Sequence, residues 1–315
     1  MLITFLLYSI DIDQVAGLLA NLSWKLYFGA GLLLVVGGSC VNTLKWKLLL
    51  KNLGIEKNYR TLLRHYYIGA FFNMFLPSTI GGDAVRIISL GREDRKYLRS
   101  AVSVVGGRLL GYFALLTIGT VSFVYNYDLF VGTPLFYLLI LMSIANGAMM
   151  ILFLFPGLAA PVVSGLGGMA RLGRLSSVAE TVQKIHRGFT ELRAGQRRVG
   201  GALLLSFAFQ LFAISVYVLV VMSLSLDIDI VYFFALVPIS VTLSAIPLSL
   251  NGVGLREWVH VYLFGALGLE GPEAVALSLG AFCLVVLNSC IGGIVYMWKG
   301  HELPAEMEES QEAES

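Results

Sequence analysis

Long apolar runs separated by short polar links organise the 315-residue chain. Five of them, at 27–50, 101–125, 134–155, 201–224 and 274–298, are long enough for helices that cross a bilayer, which takes about 20 residues. Two more, at 66–88 and 231–268, are apolar but broken in the middle by proline and glycine. Runs of this length argue for a helical bundle, because a barrel would alternate apolar and polar residues in segments of about ten. The expected fold is all-α: a polytopic helical membrane protein with a single transmembrane domain over residues 1–300.

The two broken runs are interrupted in matching ways. Pro77, Ser78, Gly81, Gly82 and Arg86 mark the first; Pro247, Ser249, Gly252, Gly254 and Arg256 mark the second, and in each the arginine follows the proline by nine residues. Proline and glycine break helices, and an arginine at membrane depth costs roughly 2.5 to 3.5 kcal/mol on insertion scales. Two such elements in apolar surroundings point to a polar site. Their bland alternative is a pair of loops that happen to contain proline and glycine.

Basic residues sort the links. Lys45, Lys47, Lys51, Lys57, Arg60 and Arg64 form one group, residues 86–99 a second and residues 171–198 a third, whereas Asp11, Asp13, Asp128, Asp227 and Asp229 mark the other side. The positive-inside rule puts the basic groups in the cytoplasm. Both ends of the 66–88 run then lie on the basic side, so it is expected to enter, turn at 77–83 and return. The 231–268 run starts on the acidic side, and residues 257–268 are short for a span, so a hairpin from the outer face fits best. Two oppositely oriented re-entrant hairpins would make an inverted repeat, an architecture of transporters whose broken helices meet near the midplane. Broken backbone at that depth is tolerated where it is buried or lines a wet cavity.

Between the fourth and fifth runs, residues 167–200 are polar, with Val178, Val182, Ile185, Phe189 and Leu192 recurring as one helical stripe and Lys184, Arg187 and Arg193 on other faces. An amphipathic helix on the cytoplasmic leaflet, or one packed on the ends of the bundle, is expected. The acidic tail 301–315 has little to bury and is expected to be disordered. Residues 1–10 lack the basic start and small-residue cleavage site of a signal peptide and are too short to span alone; they either continue into the apolar stretch ending near Ala20 or are the remnant of a first helix.

Composition supports the membrane reading and adds little else. Hydrophobic residues make up 57% and charged residues 13%, with a net charge of +2, more apolar surface than one soluble core could hide. Cys40, Cys283 and Cys290 are odd in number and unpaired in spacing, so neither disulfides nor a zinc site is indicated, and buried apolar packing is expected of them. His65, His186, His260 and His301 are scattered, and no nucleophile elbow or phosphate-binding loop occurs. No metal, no cofactor and no catalytic constellation is expected; a transferase using lipid phosphates would usually show clustered aspartates for Mg²⁺.

Arg86, Arg108 and Arg256 are the arginines set within or at the edge of apolar sequence, with Asp83 and Glu257 close by. A guanidinium fork suits phosphate oxygens, and glycines at 81, 82, 252 and 254 would let backbone N–H groups approach the same anion at the start of a half-helix. The candidate binding residues are Asp83, Arg86, Arg108, Asn251, Arg256 and Glu257. Asp83 with Arg86, and Arg256 with Glu257, would equally serve as internal ion pairs pinning the hairpin tips. Asn73, Asn251 and Asn288 are candidates for further hydrogen bonds, whether to a ligand or between helices.

At these residues the chain resembles a known family. Asn73-Met74-Phe75-Leu76-Pro77-Ser78 with Gly81, Gly82, Asp83 and Arg86, then Arg108 with Gly111, then Pro247 through Gly252, Gly254, Arg256 and Glu257 are similar to the lysylphosphatidylglycerol synthase transmembrane, or flippase-like, family over roughly residues 25–298. In bacterial multiple peptide resistance factors a related membrane region is joined to a cytoplasmic aminoacyl transferase domain and moves the modified lipid to the outer leaflet. Here the chain stops soon after Trp298, so the resemblance implies translocation without aminoacyl-lipid synthesis. Gly107 stands where the family often has an acidic residue before the arginine, which puts an ion-pair role for Arg108 in question.

The expected function is translocation of a phospholipid or lipid-linked headgroup between leaflets, with a phosphate-bearing membrane lipid as partner and no nucleic acid. The expected location is the cell membrane, a prokaryotic inner membrane, with basic loops and the acidic tail in the cytoplasm. Two alternatives stay open: a non-transporting membrane partner that docks a separate lipid-modifying enzyme through 171–198, and an intramembrane lipid transferase. A homo-oligomer is also compatible with the sequence.

Overall fold

A computed structural model of the chain describes residues 11–75, 81–133, 135–154, 188, 190–192, 195–244 and 254–299. All regular elements among them are helices: α1 Ile12–Ala20, α2 Trp24–Asn52, α3 Tyr59–Phe75, α4 Gly81–Asp94, α5 Tyr97–Tyr125, α6 Tyr127–Phe130, α7 Leu135–Leu154, α8 Gln196–Leu224, α9 Val231–Ser244, α10 Leu255–Gly265 and α11 Gly271–Lys299. The protein is an all-α polytopic membrane protein. Among the described residues four helices, α2, α5, α8 and α11, are long and apolar enough to cross a membrane. The 134–155 run, read from sequence as a fifth span, forms the 20-residue α7, of which 135–151 is a shorter apolar helix.

The bundle is built on an antiparallel contact between α2 and α8, opened by the Ser23 N–H donating to the Ser223 carbonyl at 3.0 Å. Gly31, Gly38 and Gly201 sit along this seam against Leu219, Phe212 and Leu48 side chains, so the two helices approach closely. α5 packs against α2, α4, α7, α8 and α9, and α11 against α1, α2, α3, α8 and α10. Outward faces carry Leu33, Val121, Leu141, Ile144 and Leu204, a surface suited to hydrocarbon, with Tyr125 and Trp298 exposed at helix ends as interfacial aromatics are. Cys283 and Cys290 are also exposed, on α11, rather than packed in the core as expected; Cys40 is half-buried.

Within this frame α3 packs on α4, and α9 on α10. At about 1.5 Å per residue α4 is roughly 21 Å long and α10 roughly 16 Å, both short of the ~30 Å hydrocarbon thickness. The outer ends of α3 and α4 meet where α2 stops: Lys57 Nζ lies 2.8 Å from Glu93 Oε2, and Lys96 Nζ donates to the Gly54 carbonyl at 3.2 Å. Those of α9 and α10 meet where α2 starts, with the Phe233 and Phe264 rings 5.2 Å apart and Tyr232 against Phe130 at 5.9 Å. The connections 76–80 and 245–253, with Pro77, Pro247, Asn251 and Gly252, lie outside the described residues, as do residues 1–10 and the tail 301–315.

Most of the 167–200 segment also lies outside them. Its described end packs on the bundle: Leu192 is buried beside Leu49, Leu53, Val102 and Val199, Asn52 donates its side-chain amide to the Leu192 carbonyl, and Glu191 lies 3.7 Å from Arg99.

Candidate functional site

Gly81 opens α4 and sets Asp83 and Arg86 one turn apart on the same face. Arg86 Nη1 lies 3.2 Å from Asp83 Oδ1, and Arg108 of α5 brings its Nε to 2.8 Å from Asp83 Oδ2. One carboxylate therefore holds two guanidinium groups. The Arg86 guanidinium also lies over the Trp46 ring at 4.2 Å and the Tyr66 ring at 5.2 Å, aromatic faces that attract cations most strongly away from water. Trp46 is fixed in turn by donating its indole N–H to Ser103 Oγ at 2.9 Å.

Lys45 of α2 is buried and donates to the Gly107 carbonyl at 3.1 Å, with the Phe209 ring 5.6 Å from its Nζ. Gly107 thus supplies a backbone acceptor for a neighbouring cation, and the ion pair of Arg108 comes from Asp83, 25 residues earlier in the chain. That answers the question raised by the missing acidic neighbour.

The second cluster stands at the start of α10. Arg256 Nη2 lies 2.6 Å from Glu257 Oε1, its Nε donates to Ser278 Oγ of α11 at 3.2 Å, and its guanidinium covers the Phe282 ring at 3.8 Å. Glu257 closes the helix start by accepting the Gly254 N–H on Oε2 at 2.6 Å, where Gly254 has φ of 87°, a conformation that favours glycine. His260 stacks between the Tyr217 and Phe264 rings and bonds to the Arg256 carbonyl through Nδ1 at 2.8 Å.

Each cluster faces a half-open cavity. The first, of about 340 Å³, is lined by Lys45, Trp46, Asp83, Arg86, Arg108 and Gln210 among others. The second, of about 300 Å³, is lined by Arg256 and Asn288 and is otherwise largely apolar, with Leu34, Val35, Phe212 and Val285. Tyr66, Phe209, Ala213 and Val241 line both, so the two cavities share a wall. The clusters that match in sequence therefore adjoin in space.

Of the residues singled out by sequence, Asp83, Arg86 and Arg108 converge on one cavity, Arg256 with Glu257 stands at its neighbour, and Asn251 falls outside the described residues. Asn73 accepts the Gly82 N–H at 2.6 Å, and Asn288 bridges Tyr67 and Ser39 between helices. The Gly82 and Gly254 N–H groups, expected to reach an anion, are instead occupied by the Asn73 and Glu257 side chains, which satisfy donors that a helix start leaves open. Glycine at 82 has a steric reason: a Cβ there would lie 1.9 Å from the Gly69 carbonyl oxygen of α3. Lys45, Trp46, Tyr66 and Gln210 are site residues that the sequence reading missed. For Lys45 a signal existed, since it lies inside the 27–50 run.

At the basic end a third, larger cavity of about 810 Å³ is lined by Lys47, Lys51, Lys57, Arg64 and Arg92 with Glu56 and Glu93. Glu93 gathers Lys57 at 2.8 Å and His65 at 3.0 Å. Burial would raise its carboxyl, but the Lys57 hydrogen bond and the His65 and Lys57 charges outweigh that and hold it below the usual carboxylate range.

A family model for the lysylphosphatidylglycerol synthase TM region matches residues 1–292. A UPF0104 membrane protein of Pyrococcus horikoshii is 22% identical over 294 aligned residues, covering 84% of this chain and 86% of that protein.

Proposed function

We propose a lipid-translocating function for this chain, which belongs to the lysylphosphatidylglycerol synthase TM region family. A headgroup would cross along the two adjoining cavities, past Arg108, Asp83 and Arg86 and then Arg256 and Glu257, while its hydrocarbon chains stay in lipid. The observation that carries this reading is that the two arginine clusters face cavities with a common wall of Tyr66, Phe209, Ala213 and Val241. Support also comes from the two helix pairs, α3 with α4 and α9 with α10, whose ends meet at opposite ends of the bundle, as oppositely oriented re-entrant hairpins would. In this reading the cell membrane is the location, and the end bearing Lys47, Lys51, Lys57 and Arg92 faces the cytoplasm.

The protein in this reading carries its lipid without converting it. Docking of a separate enzyme through 171–198 is the less favoured alternative, because the described end of that segment is engaged on the bundle itself through Leu192 and Glu191.

The test is reconstitution of purified protein into liposomes holding fluorophore-labelled lipid, with dithionite added outside. Translocation raises the bleached fraction above that of empty liposomes, and Arg256→Ala lowers the rate at least tenfold. No movement of any labelled lipid, including labelled lipid from the native membrane, would overturn the proposal.

A further inference from the structure

Charge in the first cavity is unbalanced. Its described lining holds three basic side chains, Lys45, Arg86 and Arg108, and one carboxylate, Asp83, which leaves an excess of two positive charges when Lys45 is protonated. The Arg256 side is balanced by Glu257 at 2.6 Å and contributes no excess. Hydrogen bonding is incomplete in the same place. Arg86 Nε is a buried donor without a partner among the described residues, and Lys45 Nζ, which offers three donors as an ammonium, donates to the Gly107 carbonyl at 3.1 Å. Buried donors and buried cations left so are costly, by about 1–3 kcal/mol for an unmade hydrogen bond and more for a charge.

We infer that the first cavity takes a dianionic phosphate, a terminal phosphate monoester or diphosphate borne on a lipid, with Lys45 as the residue that selects it. This inference rests on the reading of the cavities as a lipid path and narrows its substrate. A phosphodiester headgroup carries one negative charge and leaves one cation uncompensated, whereas a phosphate monoester carries about 1.5 to 2 near neutral pH. A headgroup bearing an ammonium adds a further cation beside Lys45 and is repelled. Asp83 already occupies one side of Arg86 and Arg108, so the donors left for the phosphate oxygens are the unpartnered Arg86 Nε and the Lys45 Nζ.

The experiment is equilibrium binding to the purified full chain in detergent, with phosphatidic acid, phosphatidylglycerol, phosphatidylethanolamine and inorganic phosphate as probes. Phosphatidic acid binds at least tenfold more tightly than either phosphodiester lipid, and inorganic phosphate binds more weakly than phosphatidic acid. Lys45→Met removes the preference by lowering phosphatidic acid affinity to that of phosphatidylglycerol, and Lys45→Arg retains it; thermal unfolding of both variants checks that they fold. Equal affinity for the three lipids, or an unchanged preference in Lys45→Met, overturns the inference. Inorganic phosphate binding as tightly as phosphatidic acid overturns the lipid source. Selective binding without movement in liposomes would sink the translocation reading and leave the dianion site standing, and movement without selectivity would do the reverse.

Discussion

Asp83 on α4 and Arg108 on α5 meet at 2.8 Å, while the other oxygen of the same carboxylate lies 3.2 Å from Arg86. One acidic side chain thus compensates two guanidinium groups on two helices. Asp83→Asn leaves both without a counter-charge, and the expected loss is about 2–3 kcal/mol, at the low end for a broken buried pair because a third of the Arg108 side chain is exposed. Denaturant unfolding in detergent measures it. Asp83→Asn combined with Arg86→Met recovers part of the loss, since the two changes share one interaction; strict additivity would mean the residues are not coupled.

Gly82→Ala forces a methyl against the Gly69 backbone, where neither partner has a flexible side chain to yield, so α3 and α4 separate and the unfolding temperature falls. Gly200→Ala on α8 is the control. Nothing lies within 4 Å of the added carbon there, and the helix gains up to about 1 kcal/mol from the better helix former. Equal effects at the two positions would remove the steric explanation.

Sidedness is readable by impermeant thiol reagents in a chain lacking Cys40, Cys283 and Cys290. Asn58→Cys and Lys96→Cys, at the end where α3 and α4 close, label from one side of the membrane; Asp229→Cys and Glu270→Cys, beside the closed end of α9 and α10, label from the other. Labelling of all four from one side would defeat the opposed-hairpin arrangement.

Acid sensitivity follows from Glu93. Its carboxyl is held below its ordinary value of 4.5, so the folded state favours the ionised form. The stability it adds is present above that ordinary value and is lost as pH falls through the lower folded value. Unfolding temperature measured from pH 7 down to pH 3 drops more for the native protein than for Glu93→Gln, and that extra drop is confined to the range below about 4.5, where the two curves converge. Parallel curves would dismiss Glu93 as a contributor.

Apolar run length is set by bilayer thickness, which is why the 27–50, 101–125, 201–224 and 274–298 runs lie within α2, α5, α8 and α11, each extended by a few residues. Local pairs are legible for a similar reason. Asp83 and Arg86 stand one helical turn apart, and Arg256 and Glu257 are neighbours in sequence. The Asp83 to Arg108 contact is not legible, because it depends on how α4 meets α5. Lys45 shows a different limit: its charge groups it with the lysines of the following loop, and only the packing of α2 on α5 and α8 reveals that it is buried. Glycine occupancy misleads in the same way, since a free N–H at Gly82 or Gly254 is expected from the half-helix start but is taken up by a side chain from the neighbouring sequence.

Gly82 lies so close to the backbone of Gly69 that α3 and α4 meet main chain to main chain there, with the Asn73 and Arg86 side chains wedged on either side. Sliding or rolling of one helix on the other is blocked there. Arg86 is carried on α4 and Tyr66 on α3, so the guanidinium and the ring that forms part of the wall between the cavities travel together. α3 and α4 form a single lever, and whatever displaces it moves the charged site and its barrier in one stroke.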